Sequence, residues 1–239
     1  MNEKKGRIAI TNIVEISNLR KVYKVGEQKV VALNDVSLNI KAREVCCILG
    51  TSGSGKSTLL NLMAGLEKPS KGSIIINGHR IEKMDERRLT RFRKKNIGFI
   101  FQSYNLLPFL SALENVGLPL TFRGMKKQQR ERLSADMLKA VGLKDHMLHR
   151  PSQMSGGQQQ RVGIARAFVG SPPIILADEP TGNLDSRTTM DVVQLMLELA
   201  HKNKQTLIIV THDNNVAQFS DKVVHFLDGN VQNIEIKNS

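Results

Sequence analysis

A glycine-rich run that directly follows a short apolar segment constrains this sequence more than any other feature. Five consecutive apolar residues, Val45–Leu49, predict a strand buried on both faces. The run after them matches G-x-x-x-x-G-K-[ST] at every fixed position and consists of Gly50, Thr51, Ser52, Gly53, Ser54, Gly55, Lys56 and Ser57, with Thr58 next. Glycines let backbone N–H groups approach phosphate oxygens, and the following helix adds its positive N-terminus. The run therefore predicts a phosphate-binding loop in which Lys56 contacts the β- and γ-phosphates and the Ser57 hydroxyl binds magnesium.

A second apolar segment ends in two adjacent carboxylates. Residues Ile174–Ala177 predict a strand, and Asp178 and Glu179 follow it directly. Sheet enzymes place their ligands at the carboxyl ends of strands. We expect Asp178 to hold magnesium, directly or through water, and Glu179 to polarise an attacking water. Apolar strands that end in acids are common, so this pair gains weight only together with the phosphate loop.

The order of strand and helix patterns predicts an α/β fold. Strand patterns occupy residues 13–17, 36–40, 45–49, 74–76, 97–101, 174–177 and 207–210, and 223–236 predicts a hairpin. Residues 111–169 are helical in pattern, with Leu133, Met137, Leu138 and Val141 on one face. Such alternation predicts a mainly parallel sheet with helices packed against it. Together with the phosphate-binding loop, the chain resembles a P-loop NTPase core that has an additional antiparallel β part. We expect a single domain over residues 1–239, in which about residues 103–169 form an inserted helical subdomain.

Composition and the two cysteines exclude several classes of protein. The chain has 239 residues, of which 40% are hydrophobic and 24% charged, as in ordinary globular proteins. No apolar run approaches the roughly 20 residues needed to cross a bilayer. The run after Lys4, Lys5 and Arg7 is too short for the core of a signal peptide. Adjacent Cys46 and Cys47 in an apolar strand favour buried thiols in a reducing compartment over a disulfide or a zinc site. We therefore expect the chain to stay in the compartment where it is made.

The net charge of +13 is a less specific signal. It is compatible with nucleic acid, with anionic lipid and with a phosphorylated ligand. Basic residues cluster at 87–95 and at 126–132. Each cluster taken alone fits the solvated face of a helix.

A further glycine-containing run lies between the two halves of the predicted site. Ser155, Gly156, Gly157 and Gln158 open a helical pattern, and Ser155 suits its N-cap. Exposed N–H groups, a hydroxyl and a helix dipole also favour phosphate. Together with the phosphate loop and the acidic strand end, this run completes a pattern of motifs. Over nearly its whole length, the chain resembles the nucleotide-binding subunit of ABC transporters. Met154 stands where the family's signature normally has Leu, a swap of similar volume.

The resemblance assigns roles to further positions in family order. Tyr23 resembles the aromatic residue that stacks on adenine, and Gln102 resembles the glutamine that senses magnesium and water. Asn183–Asp185 resembles the loop that meets the other subunit, with Asp185 among the nucleotide-binding residues, and His212 resembles the switch histidine at the γ-phosphate. Structural alternatives stay open: Tyr23 as a core or surface aromatic, Gln102 as a loop residue and His212 as a helix cap.

The resemblance also implies a mechanism and partners. The chain would be an ATPase that uses ATP and Mg²⁺ and forms an ATP-induced homodimer, with each ATP between one phosphate loop and the partner's signature run. The catalytic group would be Lys56, Gln102, Glu179 and His212, and the metal ligands would be Ser57, Gln102 and Asp178. Opening and closing of the dimer would drive a transmembrane permease subunit. The chain would then be peripheral, at the cytoplasmic face of the cell membrane.

Three segments resemble one subgroup of the family. They are Leu106–Pro108, Glu114–Val116 and Glu179–Asp185. The subgroup serves macrolide and antimicrobial-peptide exporters, lipoprotein-releasing systems and a cell-division complex, which implies export or extraction of an antimicrobial peptide, drug or lipoprotein. The apolar stretch Tyr104–Leu110 either packs on its own subdomain or, as we hypothesise, stays partly exposed to receive a permease loop.

Two other functions compete with transport. A nucleic-acid-associated ATPase of the same superfamily would account for the charge, but the chain has no room for a coiled-coil or zinc insertion and contains a single such domain, so we expect no nucleic-acid partner. A scaffold that binds ATP without hydrolysing it would have lost Lys56, Glu179 or His212, and all three are present.

Overall fold

Residues 12–237 are described by the computed structural model, and they form two β-sheets with helices packed around them. Residues 1–11, which contain the segment considered above for a signal peptide, lie outside the described part of the chain, as do residues 238–239. Within 12–237, no helix is long and apolar enough to span a bilayer.

The larger sheet carries the predicted site at one of its edges. Its strands are β3 (Val45–Leu49), β6 (Ile97–Ile100), β7 (Ile174–Asp178), β8 (Thr206–Thr211), β9 (Lys222–Leu227) and β10 (Asn230–Ile236), in the order β10-β9-β3-β8-β7-β6. All neighbours are parallel except the β9–β10 hairpin. Parallel pairing brings the carboxyl ends of β3, β7 and β8 to the same edge, which is where the phosphate loop and the two acids begin. The predicted mainly parallel sheet is confirmed.

The smaller sheet is antiparallel and longer than its sequence pattern suggested. It consists of β1 (Asn12–Val25), β2 (Gln28–Lys41), β4 (Lys71–Ile76) and β5 (His79–Arg80), in the order β2-β1-β4-β5. The predicted strand at 13–17 is only the first third of β1. A break follows it, because Asn18 has φ 48° and the pairing with β2 shifts between Ile16 and Leu19. The apolar alternation that predicts a strand is lost at this irregularity although the strand continues.

Seven α-helices surround the sheets in the described chain. They are α1 (Lys56–Met63), α2 (Glu86–Asn96), α3 (Ala112–Phe122), α4 (Lys127–Ala140), α5 (Gly156–Phe168), α6 (Ser186–Lys202) and α7 (Asn214–Ala217). Helices α3, α4 and α5 contact one another, and α5 also contacts β6 and α6. The helical pattern at 111–169 is therefore confirmed, whereas the boundaries of a separate subdomain at about 103–169 stay a prediction.

The apolar core lies on both faces of the larger sheet. Alternate residues of β7 divide between the two sides: Ile174 and Leu176 belong to one cluster, and Ile175 and Ala177 to the other. Burial of each isoleucine or leucine side chain contributes about 1.5–3 kcal/mol, so a strand covered on both faces is a rigid support for the acids at its end. Cys46 and Cys47 are buried free thiols in β3, as predicted.

Candidate active site

The phosphate loop connects β3 to α1 through a backbone path that two glycines make possible. A Cβ at Gly50 would overlap the carbonyl oxygen of Phe226, and one at Gly55 would overlap that of Ala32. Gly55 also has φ 101°, a left-handed conformation that side chains rarely adopt. The loop is thus packed tightly against neighbouring backbone and begins α1 at Lys56.

The Lys56 ammonium group crosses this loop. It donates hydrogen bonds to the carbonyl oxygen of Thr51 at 2.7 Å and to the hydroxyl of Ser54 at 3.5 Å, and the residue is only 4% exposed. Burial lowers the pKa of the Lys56 ammonium, and the carboxylates of Glu179 and Asp178 act in the opposite direction. A buried cation held within a glycine-rich loop is a suitable binding site for phosphate oxygens.

Asp178 meets the other end of the loop. The Ser57 hydroxyl donates to Asp178 Oδ1 at 2.8 Å, which joins the start of α1 to the end of β7. Burial raises the pKa of the Asp178 carboxyl, and the hydrogen bond from Ser57 opposes that rise. Adjacent hydroxyl and carboxylate oxygens fit Mg²⁺, which takes few protein ligands and completes its shell with phosphate and water. The described residues contain no cluster of three or more His, Cys, Asp or Glu side chains suited to a metal held by protein alone.

Glu179 leaves the strand in a left-handed conformation. Its φ is 45°, and its N–H donates to the carbonyl of Val210 in β8 at 2.9 Å. Its Oε2 lies 3.0 Å from His212 Nδ1, just past the end of β8. Both side chains line a cavity of about 500 Å³. The structure therefore brings together two residues that are 33 positions apart in sequence and that the family resemblance assigned to one reaction.

Gln102 lies beside the turn that follows Glu179. Its carbonyl accepts a hydrogen bond from Asn183 Nδ2 at 2.9 Å, and a Cβ at Gly182 would lie 2.8 Å from its side-chain nitrogen. Among the hydrogen bonds of the described residues, none joins the Gln102 amide to Ser57 or Asp178. Its role as a metal ligand stays a prediction.

Tyr23 is fixed next to α1 by two residues that the sequence did not single out. Its hydroxyl donates to Glu67 Oε2 at 2.7 Å, and Lys21 Nζ lies 4.7 Å from its ring centroid and 2.8 Å from the same carboxylate oxygen. Thr58 of α1 also hydrogen-bonds to it; burial and the bond to Glu67 raise the pKa of the Tyr23 hydroxyl. Lys21 and Glu67 are 46 residues apart, so no local pattern could have joined them.

The signature run, Ser155–Gln158, forms the N-terminus of α5. The Ser155 hydroxyl accepts from the Gln158 N–H at 3.3 Å, and Gln158 Oε1 accepts from the Ser155 N–H at 2.9 Å, a reciprocal cap. A Cβ on Gly156 would lie 2.9 Å from the Tyr104 hydroxyl, and one on Gly157 equally close to Thr188. The run thus packs on the loop after Gln102 and on α6, and none of its described contacts reaches the phosphate loop.

Asp185 caps the helix that follows the Glu179 turn. Its two carboxylate oxygens accept from the N–H of Thr188 at 3.0 Å and from the hydroxyl of the same residue at 2.7 Å. The loop that ends at Asp185 and the signature run are therefore neighbours, because Thr188 also packs against Gly157.

Comparison with known proteins identifies the family. A family model described as ABC transporter matches residues 33–182. The chain belongs to the ABC transporter family. It is 45% identical over 227 residues to the ABC transporter ATP-binding protein MJ0796 of Methanocaldococcus jannaschii, covering 93% of this chain and 97% of that one. It is also 45% identical to the ABC transporter ATP-binding protein YtrE of Bacillus subtilis, covering 91% and 96%.

Two further matches extend the comparison. The macrolide export ATP-binding/permease protein MacB of a Shewanella species is 46% identical over 217 residues, which are 91% of this chain but only 33% of that protein. A solved dimer of the MJ0796 cassette, described as a post-hydrolysis state bound to ADP and Pi, superposes with a TM-score of 0.88 at 44% identity, covering 95% of this chain and 99% of that one.

These matches confirm the predicted fold and class. The chain is an ATP-binding subunit of an ABC transporter and an ATPase. They do not favour the nucleic-acid-associated alternative.

Proposed function

We propose that this ABC ATPase closes as a homodimer around two ATP molecules and uses the cycle of closing and opening to drive a membrane permease. The observation that carries the proposal is the Glu179–His212 pair, 3.0 Å apart at the edge of the sheet where Lys56, Ser57 and Asp178 meet. A single subunit thereby assembles the groups for phosphate binding and water activation, while the described contacts of its signature run are with Tyr104, Thr188 and His146.

The phosphate loop and α1 bind and orient the nucleotide. Loop N–H groups and the Lys56 ammonium hold the β- and γ-phosphates, and Tyr23 stacks on adenine. Ser57, Asp178 and Gln102 are the residues that would hold Mg²⁺, which when bound neutralises charge that develops on the phosphates. The hydrogen bond between Ser57 and Asp178 holds these two oxygen ligands together before any metal arrives.

Hydrolysis requires a water in line with the γ-phosphorus. Glu179 polarises this water and accepts its proton, so that an O–P bond forms as the bond to the β–γ bridging oxygen breaks. His212 holds the Glu179 carboxylate and contacts the γ-phosphate. The products are ADP and inorganic phosphate, the two species named for the solved MJ0796 dimer.

Dimer formation explains the position of the signature run. The N-terminus of α5 offers the N–H groups of Gly156 and Gly157, which donate in none of the hydrogen bonds of the described residues, together with the Ser155 hydroxyl and a positive dipole end. All of these are suited to a γ-phosphate from another subunit. Because the bound ATP would be part of the interface, ATP favours the dimer by mass action. Release of phosphate removes that bridge and opens the dimer.

A permease contact is supported by the stretch Tyr104–Leu110. Leu106 packs against the core, but Leu107 is 37% exposed and Phe109 is 65% exposed. Exposed apolar patches on globular domains frequently mark a binding site. The stretch begins two residues after Gln102, whose carbonyl is bonded to Asn183, so a partner bound there would act on the turn that carries Glu179.

The transported molecule is proposed from the relatives alone. The identity to MacB, whose name joins macrolide export to a permease, supports export of a drug. The subgroup that the sequence resembles adds export or extraction of an antimicrobial peptide or a lipoprotein to the proposal. Function beside a permease would place the chain at the cytoplasmic face of the cell membrane as a peripheral protein.

A fractionation experiment tests the permease contact. We expect wild-type chain in its host to sediment with membranes, and Phe109→Asp to move it to the supernatant with ATPase activity intact, because a charge would be buried at the interface. Val25→Asp, at an equally exposed valine in β1, is the matched control and should still sediment. Equal sedimentation of Phe109→Asp and Val25→Asp, or equal binding of wild type to protein-free vesicles of the host lipids, would contradict docking on a permease.

A further inference from the structure

Gln160 is a buried polar residue that the mechanism above does not use. It lies in the second turn of α5 and is 0% exposed. Its side-chain N–H donates to the carbonyl oxygen of Pro180, the residue directly after Glu179. Its Oε1 is buried and accepts no hydrogen bond from the described residues. A half-satisfied buried amide costs stability that an apolar side chain of the same size would not, so it calls for a reason.

The contact with Pro180 fixes the turn that carries Glu179. Proline has no N–H, so its carbonyl is its only backbone hydrogen-bonding group. The same turn is held before Pro180 by the bond from the Glu179 N–H to Val210 and after it by the bond from the Gly182 N–H to the Glu179 carbonyl, at 2.9 and 3.1 Å. Gln160 supplies the anchor between these two, and it is the one that comes from α5.

We propose that Gln160 is a positioning residue that couples the signature helix α5 to the Glu179 carboxylate. The inference rests on the proposed role of Glu179. In the dimer, the N-terminus of α5 would contact the ATP of the other site, five residues before Gln160. If contact with that ATP moves α5, the hydrogen bond from Gln160 would move Pro180 with it. The Glu179 side chain would then be reoriented towards the ATP bound to its own subunit. One side chain would thus make hydrolysis at each site depend on occupancy of the other.

The chain contains a matched control for this residue. Gln205 is also buried, at 3% exposure, and its side-chain N–H donates to a proline carbonyl, that of Pro172, at 2.6 Å. Its Oε1 is equally without a partner in the described chain. Gln205 directly precedes β8 and Pro172 precedes β7, so this pair lies at the opposite ends of the strands that lead to Glu179 and His212. The two glutamines share their structural chemistry but differ in position.

The test compares Gln160→Leu with Gln205→Leu in ATP binding, unfolding and steady-state phosphate release. We expect similar unfolding midpoints and ATP affinities for the two variants. Only Gln160→Leu should lower kcat, on the order of tenfold or more, with KM for ATP little changed, because a misplaced catalytic group reduces turnover rather than binding. Its Hill coefficient for ATP should also fall towards 1, since the two sites no longer communicate. Gln160→Met, which keeps the length of the side chain, is the second variant if Gln160→Leu does not fold.

Two outcomes separate the inference from the proposed function. If Glu179→Gln, measured alongside, hydrolyses ATP as fast as wild type, the proposed role of Glu179 fails. If Glu179→Gln is inactive but Gln160→Leu and Gln160→Met keep the kcat and Hill coefficient of Gln205→Leu, the coupling role of Gln160 is wrong and the residue only packs.

Discussion

Backbone geometry at single glycines sets how far the phosphate loop tolerates substitution. Gly53 and Gly55 both have left-handed φ values, 79° and 101°. They differ in their surroundings, because a Cβ on Gly53 would meet nothing within 4 Å whereas one on Gly55 would overlap the Ala32 carbonyl. The first position needs glycine for its conformation alone, and the second needs it for conformation and space.

Alanine substitution should separate these two effects. We expect Gly53→Ala to cost about 1 kcal/mol of unfolding free energy, the usual strain of a left-handed alanine. Gly55→Ala should cost at least twice as much and abolish ATP binding, because the β2 backbone would have to move away from the start of α1. Urea unfolding and nucleotide titration measure both. Equal losses in the two variants would show that backbone contact with Ala32 does not constrain the loop.

Much of the site was predictable at this scale and some of it was not. Lys56, Ser57, Asp178 and Glu179 follow from local motifs at strand ends, whereas His212 was assigned only through the family resemblance and its contact with Glu179 was found in the structure. Gln160 could not be found, because it stands in a run of three glutamines and its importance depends on Pro180, 20 residues away.

Among the elements, α3 shows how a helix is fixed at its start beside the proposed docking stretch. Ser111 and Glu114 form a reciprocal cap: the Ser111 hydroxyl accepts from the Glu114 N–H, and Glu114 Oε2 accepts from the Ser111 N–H at 2.8 Å. The hydrogen bonds from the Ser111 backbone and hydroxyl lower the pKa of the Glu114 carboxyl. The ionised form is therefore favoured in the folded protein.

This cap predicts a pH-dependent contribution to stability. Ser111→Ala should cost about 1 kcal/mol at neutral pH, as N-caps usually do. The loss caused by Glu114→Ala should be full above the ordinary glutamate pKa of about 4.3 and should vanish as the pH falls through the lowered folded-state pKa. Urea unfolding at several pH values measures this, with Glu131→Ala, which breaks the exposed Lys127–Glu131 pair at 3.8 Å, as the control. A Glu114→Ala loss that does not shrink in acid would contradict the cap.

Elements with a continuous apolar run were predictable from the sequence, and elements with largely polar surfaces were not. The wholly buried β3 and the apolar residues Ile174–Ala177 of β7 were evident as continuous apolar runs. Helix α2 was foreseen only as a solvated basic face, because Leu89 and Phe92 are its only large buried apolar side chains. The β1–β2 hairpin was also underestimated, since exposed Val30 and Val31 and the kink at Asn18 disrupt its alternation.

At the scale of the whole molecule, the two sheets contribute different residues to the candidate active site. The larger sheet brings the phosphate loop, both acids and His212 to one edge, and the smaller antiparallel sheet supplies Tyr23 and the backbone of Ala32 beside the loop. The sequence order predicted the parallel part well, because each strand there is a short apolar run. The sequence order did not predict where the signature run lies relative to the phosphate loop. This position depends on how α5 packs on β6, Tyr104 and Thr188.

The central claim is that ATP joins two copies of this chain, and the mass of Glu179→Gln in solution tests it most directly. This variant should bind ATP but not hydrolyse it, because both phosphate sites remain while the polarising carboxylate is gone. Light scattering should give a monomer without nucleotide and twice that mass with ATP and Mg²⁺. A variant that binds ATP, shown by titration on the same sample, yet keeps the monomer mass would contradict an ATP-built dimer with the signature run acting across its interface.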